Sequence, residues 1–299
     1  MPDKKTFLEK ITNYYNPAIV KINDHKIKDL NFNNFVSIDT IEPLPGFISS
    51  PEEALIYSLA LNSINYQFWD KNDQNFYRYT HQNSVGALAM FNAFQKMYQE
   101  LGSYQKIINL NKNKDFFNQE IIKKYFGNIP DVDSRLIILN EIFDEYLPQL
   151  AKMILKNAKA HHCFTIDDAS YLSEAFPLSY QDDFLKKAQL SLILASNYLK
   201  PFNLNLGTDF TVCADYQLPK VLEHLKILSY SDSLKDDINN MKVIPAFSQQ
   251  EHALRAATVI ACEKICSYHH LNPADLDYWL WLKRNEPKTN FHLTKTTLY

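Results

Sequence analysis

The stretch Asp209-Phe210-Thr211-Val212-Cys213-Ala214-Asp215-Tyr216-Gln217-Leu218-Pro219 sets a carboxylate, Asp215, among apolar neighbours at the point where a helix is about to begin. A carboxylate there is costly to bury unless it is paired or put to chemical use. Capping the coming helix is the simpler reading, and the residues alone leave both open. Ile64-Asn65-Tyr66-Gln67-Phe68-Trp69 follows a helical run with an amide and several aromatic rings. It serves either as core packing or as a stacking wall for a planar ligand, with Asn65 bonding a polar edge. In residues 250–265, Glu251 and Arg255 share a helical face at i,i+4 with Glu263 further along, which is a surface ion pair of modest worth or part of a site. The tail sets Asp277 beside Tyr278, Trp279 and Trp281, then His292, Thr294 and Tyr299. An acid among rings suits a nucleobase, where rings stack and acids read edges.

Other chemistries lack their signatures. There is no HExxH, GxxxxGK[ST], GxSxG, paired CxxC or EF-hand loop. The 4 cysteines, Cys163, Cys213, Cys262 and Cys266, read as buried or partly buried free thiols, and no metal site or cofactor is expected. His161-His162 and His269-His270 fall at the ends of predicted helices, where imidazolium complements the helix dipole. With 31 Lys+Arg against 34 Asp+Glu, the net charge of −3 does not suggest broad adhesion to nucleic acid or to an anionic membrane. The opening MPDKKTFLEK lacks a signal-peptide core and no run approaches the ~18 apolar residues of a membrane span, so the cytoplasm is the expected setting.

The elements that must position these residues are expected to be helices. The chain holds 5 Gly in 299 residues where an average composition of ~7% predicts roughly 20. Phosphate-cradling loops, dinucleotide crevices and the turns of all-β folds need residues that tolerate positive φ, although Asn can stand in at some of them. A mainly α protein needs glycine least. Ser50-Pro51-Glu52-Glu53 reads as an N-cap, a proline at N1 and an acidic first turn for an apolar run through Leu59. Further helices are predicted over 84–101, 115–126, 133–157 with a break at Pro148, 181–199, 214–226, 231–240, 248–268 and 273–285. Residues 26–40 alternate enough for a short hairpin or strands, and any strands are expected to be few and near the N-terminus. One helical domain over 1–299, with 1–49 peripheral, is favoured over a boundary near 128–132.

In order along the chain, these segments resemble the queuosine salvage family, the queuosine 5′-phosphate N-glycosylases. The matching stretches are Ile64 to Trp69, Gly86 to Ala93, Phe184-Leu185-Lys186-Lys187-Ala188-Gln189, Cys213 to Lys220 with Leu228-Ser229-Tyr230-Ser231 downstream, Glu251 to Ala257, Asp277-Tyr278-Trp279-Leu280-Trp281, and His292-Leu293-Thr294 to Tyr299. They span about residues 50 to 299. Departures fall at Gln217 and Leu293, where the family usually has Arg, at Lys187 for Arg, and at Asn62 for Asp. Losing positive charge near the site leaves two options: the substrate is the nucleoside, or another lysine compensates.

The resemblance implies a helical fold that looks like that of DNA glycosylases and hydrolysis of the N-glycosidic bond of queuosine 5′-phosphate, or of queuosine itself, to release queuine for tRNA modification. It makes Asp215 the catalytic group, stabilising an oxocarbenium ion or activating water. It makes Phe68, Trp69, Tyr216 and Trp281 stacking walls and Asn65 a hydrogen-bonding partner of the base. Asp277, Asp209 or Glu251 would meet the ammonium and diol of the queuine arm, and Lys186, His292 and Tyr299 the phosphate. Glu251 and Arg255 either touch the substrate or fix those that do. The competing readings are a helical DNA or RNA base glycosylase and a non-catalytic queuosine-binding protein.

Overall fold

In the computed structural model, which describes residues 3–33, 35–38, 43–72 and 75–299, helices begin where the chain supplies caps. The order opens with α1 (Lys4–Thr12), β1 (Val20–Ile22), α2 (Asp24–Lys28) and α3 (Pro51–Ser63). Two hairpin-like pairs follow, β2 (Trp69–Lys71) with β3 (Phe76–Arg78) and β4 (Thr80–His81) with β5 (Ser84–Val85). Next come α4 (Ala87–Leu101), α5 (Tyr104–Leu110), α6 (Gln119–Phe126), α7 (Val132–Ile142), α8 (Leu147–His161), β6 (Cys163–Thr165), α9 (Ile166–Ala175), α10 (Pro177–Tyr180) and α11 (Lys186–Tyr198). The last part holds β7 (Gly207–Asp209), α12 (Leu218–His224), β8 (Leu228–Tyr230), α13 (Asp232–Asn239), α14 (Gln249–His269) and α15 (Pro273–Leu282). The protein is mainly α.

Helix α3 shows why the local signals work. Ser50 accepts from the Glu53 N–H at 3.1 Å, Pro51 occupies the first turn, and Glu53 reaches back to the Ser49 N–H at 3.1 Å. Its residues from Glu53 to Ser63 are all buried, so it is covered on every side and runs through the middle of the molecule. It packs against α11, and the small residues between them allow close approach: the Ser58 hydroxyl donates to the Ser191 carbonyl at 2.7 Å. The buried core runs without interruption from Phe7 to Leu280, across residues 128–132. Phe7, Ile11, Val20 and Ile27 belong to it, so the N-terminal segment is built into the core rather than lying at its edge.

The strands depart most from expectation. They are spread along the chain, and two pairs are non-local: β1 with β8, antiparallel, and β6 with β7, parallel. Segments of 3 residues offer no alternation to read. The segment 26–40 forms no hairpin among its described residues. Its start belongs to α2, and residues 34, 39 and 40 lie outside those described. One helical start shifts, since 84–85 are strand before α4, while the break expected at Pro148 is present: α7 ends at Ile142 and Pro148 lies in the first turn of α8. The two His-His pairs do close α8 and α14, with His162 and His270 in left-handed conformation as C-caps. All four cysteines are free thiols, Cys163 half-buried and the others buried.

Scarce glycine did not spare the chain positive φ. Among the described residues 12 non-glycine positions adopt it, Asn83 and Asn203 among them, but so do Gln67 at 32° and Leu185 at 51°, where strain must be offset by surrounding contacts. Arg135 of α7 provides such contacts at the first. Its buried guanidinium donates to the main-chain carbonyls of Pro130, Tyr66 and Gln67 and lies 4.0 Å from the Tyr66 ring centroid. Replacing it with Met should lower stability by about 2–4 kcal/mol, since buried carbonyls lose their donor. Urea denaturation should show a lower midpoint at unchanged slope; an unmoved midpoint would mean the carbonyls find other partners.

Candidate active site

A cavity of about 380 Å³ opens where the residues after α3, the start of α11, the loop before α12, α15 and the C-terminal tail converge. Asn65, Phe68, Trp69, Lys186, Asp215, Tyr216, Asp277, Trp281 and Tyr299, all singled out in the sequence, line it. Trp69, Tyr216, Leu293 and Tyr299 form a buried cluster apart from the main core, with Phe291 packed on the Tyr216 ring at 4.7 Å between centroids. The wall is therefore aromatic on one side.

The first wall segment is held by its own polar atoms. Asn65 donates to the Asn62 side chain at 3.0 Å, and Asn62 to the Ser58 carbonyl at 2.9 Å. Gln67 then fastens the tail: its N–H donates to the main-chain oxygen of Tyr299 at 3.1 Å, and its side-chain oxygen accepts from the Thr296 N–H at 2.9 Å. Gln67 thus helps to hold the tail at the cavity, together with the Ile244 N–H, which donates to the Leu293 carbonyl at 2.7 Å.

Asp215 caps the helix, the simpler of the two readings, and it also faces the cavity. Its Oδ1 accepts from the N–H groups of Gln217 at 2.7 Å and Leu218 at 3.2 Å, starting α12 as a cap does. Among the described residues no hydrogen bond occupies Oδ2, and the residue is half-buried against the cavity. Burial raises its pKa, against the pull of the Lys186 charge and the two N–H groups. Asp277 accepts from the Cys213 N–H at 2.7 Å. Burial pushes its carboxyl up to about 7; the Cys213 N–H and Lys186 oppose this, and the Asp215 charge adds to it. Lys186 is buried, donates to the Asn65 carbonyl at 3.1 Å, and has its pKa lowered by burial against the opposing charge of Asp215. The Lys186 charge thus acts on both carboxylates in a mostly apolar cavity.

Four predicted residues do not line the cavity. Asp209 is exposed on β7, 3.9 Å from Lys4. His292 is buried, 3.4 Å from the Tyr299 hydroxyl, and burial beside Arg255 pushes its imidazole down to about 3, so it brings no cation at neutral pH. Glu251 and Arg255 stand behind the wall. Arg255 donates to both oxygens of Asp182, at 2.9 and 2.7 Å, to Glu251 at 3.4 Å and to the Ala214 carbonyl at 3.0 Å. Its guanidinium lies between the Phe184 and Tyr299 rings, 4.2 and 4.3 Å from their centroids. Burial works against this cation, and the Asp182 charge and hydrogen bonds more than restore it.

Asp182 was missed in the sequence. It accepts from the Lys186 N–H at 2.9 Å and so caps α11 while it pairs with Arg255. An acid in the first turn of the helix predicted over 181–199 was the available signal, but nothing local pointed to its distant partner.

Residues 47–299 match a protein-family model described as queuosine salvage protein. A protein of Dictyostelium discoideum named queuosine 5′-phosphate N-glycosylase/hydrolase is 25% identical over 283 residues, covering 87% of this chain and 83% of its own. Proteins of the same name from Sphaerobacter thermophilus and Mus musculus are 30% and 24% identical, over 58% and 83% of this chain and 59% and 82% of theirs.

The state of Asp277 has a measurable consequence. Folded, it keeps its proton to about pH 7, whereas unfolded it titrates near the ordinary 3.8, so between these values the folded chain binds more protons. Its contribution to stability is full below the lower value and is lost as pH rises through the upper one. The stability of the wild type minus that of Asp277→Asn should therefore fall between about pH 4 and pH 7. A difference that stays level or rises over that range would contradict the assignment.

Proposed function

The chain belongs to the queuosine salvage protein family, and from that premise we propose that it hydrolyses the N-glycosidic bond of queuosine 5′-phosphate and releases queuine. The observation that carries the reading is the uncommitted Oδ2 of Asp215 in a cavity with aromatic walls. Breaking an N-glycoside sends the bonding electrons to the base and builds positive charge on the sugar. A fixed carboxylate beside C1′ stabilises that charge, and its free oxygen takes a proton from the water that bonds to C1′. Asp215 is placed by its capping bonds, so little reorganisation is required of it.

A 7-deazaguanine has no N7 to accept a proton, and the departing base needs one elsewhere. Asp277 is suited to donate it, because burial keeps this acid partly protonated at neutral pH. Of the acids considered for the base and its arm, Asp277 lines the cavity, while Asp209 and Glu251 do not. Phe68, Trp69, Tyr216 and Trp281 supply stacking surface, and Asn65 an amide for the base edge. Lys186 balances Asp215 and Asp277 and holds the Asn65 carbonyl, keeping the acids and the base-reading segment in one frame. The whole chain serves this site as one domain. The setting is a reducing cytoplasm, which suits four unpaired cysteines; among the described residues no helix is long and apolar enough to cross a membrane. Queuine so released would feed tRNA modification.

Asp215→Asn keeps the shape of the cap and removes the charge. Queuine release should fall by about 10³-fold or more, while quenching of tryptophan fluorescence by the nucleotide persists with an affinity within a few-fold of wild type. Turnover at wild-type rate would remove Asp215 from the mechanism.

A further inference from the structure

Asn65 lines the cavity and is only 5% exposed, yet among the described residues its side-chain oxygen has no hydrogen-bond partner. A buried acceptor left unpaired costs free energy unless a ligand meets it. What that ligand must offer depends on which end of the amide faces it, since one end accepts and the other donates. The ends are fixed from behind. The Ser58 carbonyl can only accept, so the atom of Asn62 beside it, at 2.9 Å, is the amide nitrogen. The Asn62 oxygen is thereby turned to Asn65 and can itself only accept, so Asn65 presents its nitrogen to it at 3.0 Å. The Asn65 oxygen is left for the cavity. Turning this amide over would set two oxygens against each other.

Among the described residues no other hydrogen bond sets this orientation. The main chain of Asn65 is held on both sides, its N–H donating to the Asn62 carbonyl at 3.1 Å and its own carbonyl accepting from Lys186 at 3.1 Å. Those bonds place the residue at the cavity and are indifferent to how its amide is turned. Asn62 is fully buried in α3 and does not line the cavity. A polar side chain inside a covered helix is costly unless its ends are paired, and here both are.

We propose that Asn62 is a positioning residue that determines specificity: by fixing the polarity of Asn65 it makes the site read a hydrogen-bond donor on the base and reject an acceptor. The inference rests on the hydrolase reading above and deepens it. A guanine-type base offers two donors side by side, N1–H and the 2-amino group. An adenine-type base has an acceptor at N1 and no polar group at C2, so the Asn65 oxygen would face a lone pair. The choice between them is made by a residue that touches neither.

The test measures the affinity of the full-length chain for the 5′-phosphates of 7-deazaguanosine and 7-deazaadenosine, which differ only along that edge, by quenching of tryptophan fluorescence on rapid mixing. Wild type should favour the first by at least about 100-fold. Asn62→Leu keeps the size of the side chain and removes both bonds, so the ratio should narrow by about 10-fold or more. A merely structural role would weaken both nucleotides alike and leave the ratio as it was. Asn62→Asp keeps an acceptor turned to Asn65 and should hold the ratio within about 3-fold of wild type. A wild type that binds both nucleotides equally, a ratio unmoved in Asn62→Leu or a ratio lost in Asn62→Asp would overturn the proposal. Should Asn62→Leu fail to fold, Asn62→Asp decides alone. If queuosine 5′-phosphate is not hydrolysed while the ratio still depends on Asn62, this inference stands and the hydrolase reading falls; hydrolysis with a ratio indifferent to Asn62 removes this inference alone.

Discussion

Arg255 is a fully buried cation that ties together the pieces from which the cavity is made. From the middle of the molecule it holds Asp182, which starts α11 and hence places Lys186, and the carbonyl of Ala214, which immediately precedes Asp215. The Tyr299 ring of the tail lies over the same guanidinium. A buried ion pair is weak evidence for stability, because desolvation consumes much of its Coulombic gain, but breaking it by removing one partner is expensive. Its worth here is positional: a two-pronged contact with Asp182 and a third bond to Ala214 leave little freedom in either loop. Arg255 holds the segments that form the cavity without lining it.

The cavity's electrostatics follow from the same arrangement. Asp215 and Asp277 are drawn into an apolar space where the Lys186 charge acts on both, so burial raises both acids and the lysine moderates both. Their surroundings still differ. Asp215 is half-buried and accepts two backbone N–H bonds on one oxygen, whereas Asp277 is buried and accepts one.

Much of the fold was legible because helix signals are local. The caps at Ser50 and Ser248, the proline at 51 and the runs that follow can be read within a few residues. Strands of 3 residues paired with partners far along the chain cannot, and nor can the left-handed turns at Gln67 and Leu185, where neither glycine nor asparagine marks the position. The aromatic and acidic members of the site stood out because rings beside an embedded carboxylate are unusual in an amphipathic helix. Glu251 and Arg255 were visible as a pair, but Asp182 was not, since its role depends on a contact 73 residues away. His292 shows the opposite error: an ionisable residue in a polar tail invites a charged role, and only burial reveals that it stays neutral.

The central claim is that this cavity breaks a bond between a sugar and a 7-deazaguanine base. It is tested most directly by incubating the purified chain with queuosine 5′-phosphate and following the mixture by chromatography. Free queuine should appear in step with the disappearance of the nucleotide, mole for mole, with ribose 5-phosphate as the other product. Nucleotide that binds but is recovered intact, or that loses only its phosphate to give queuosine, would contradict it.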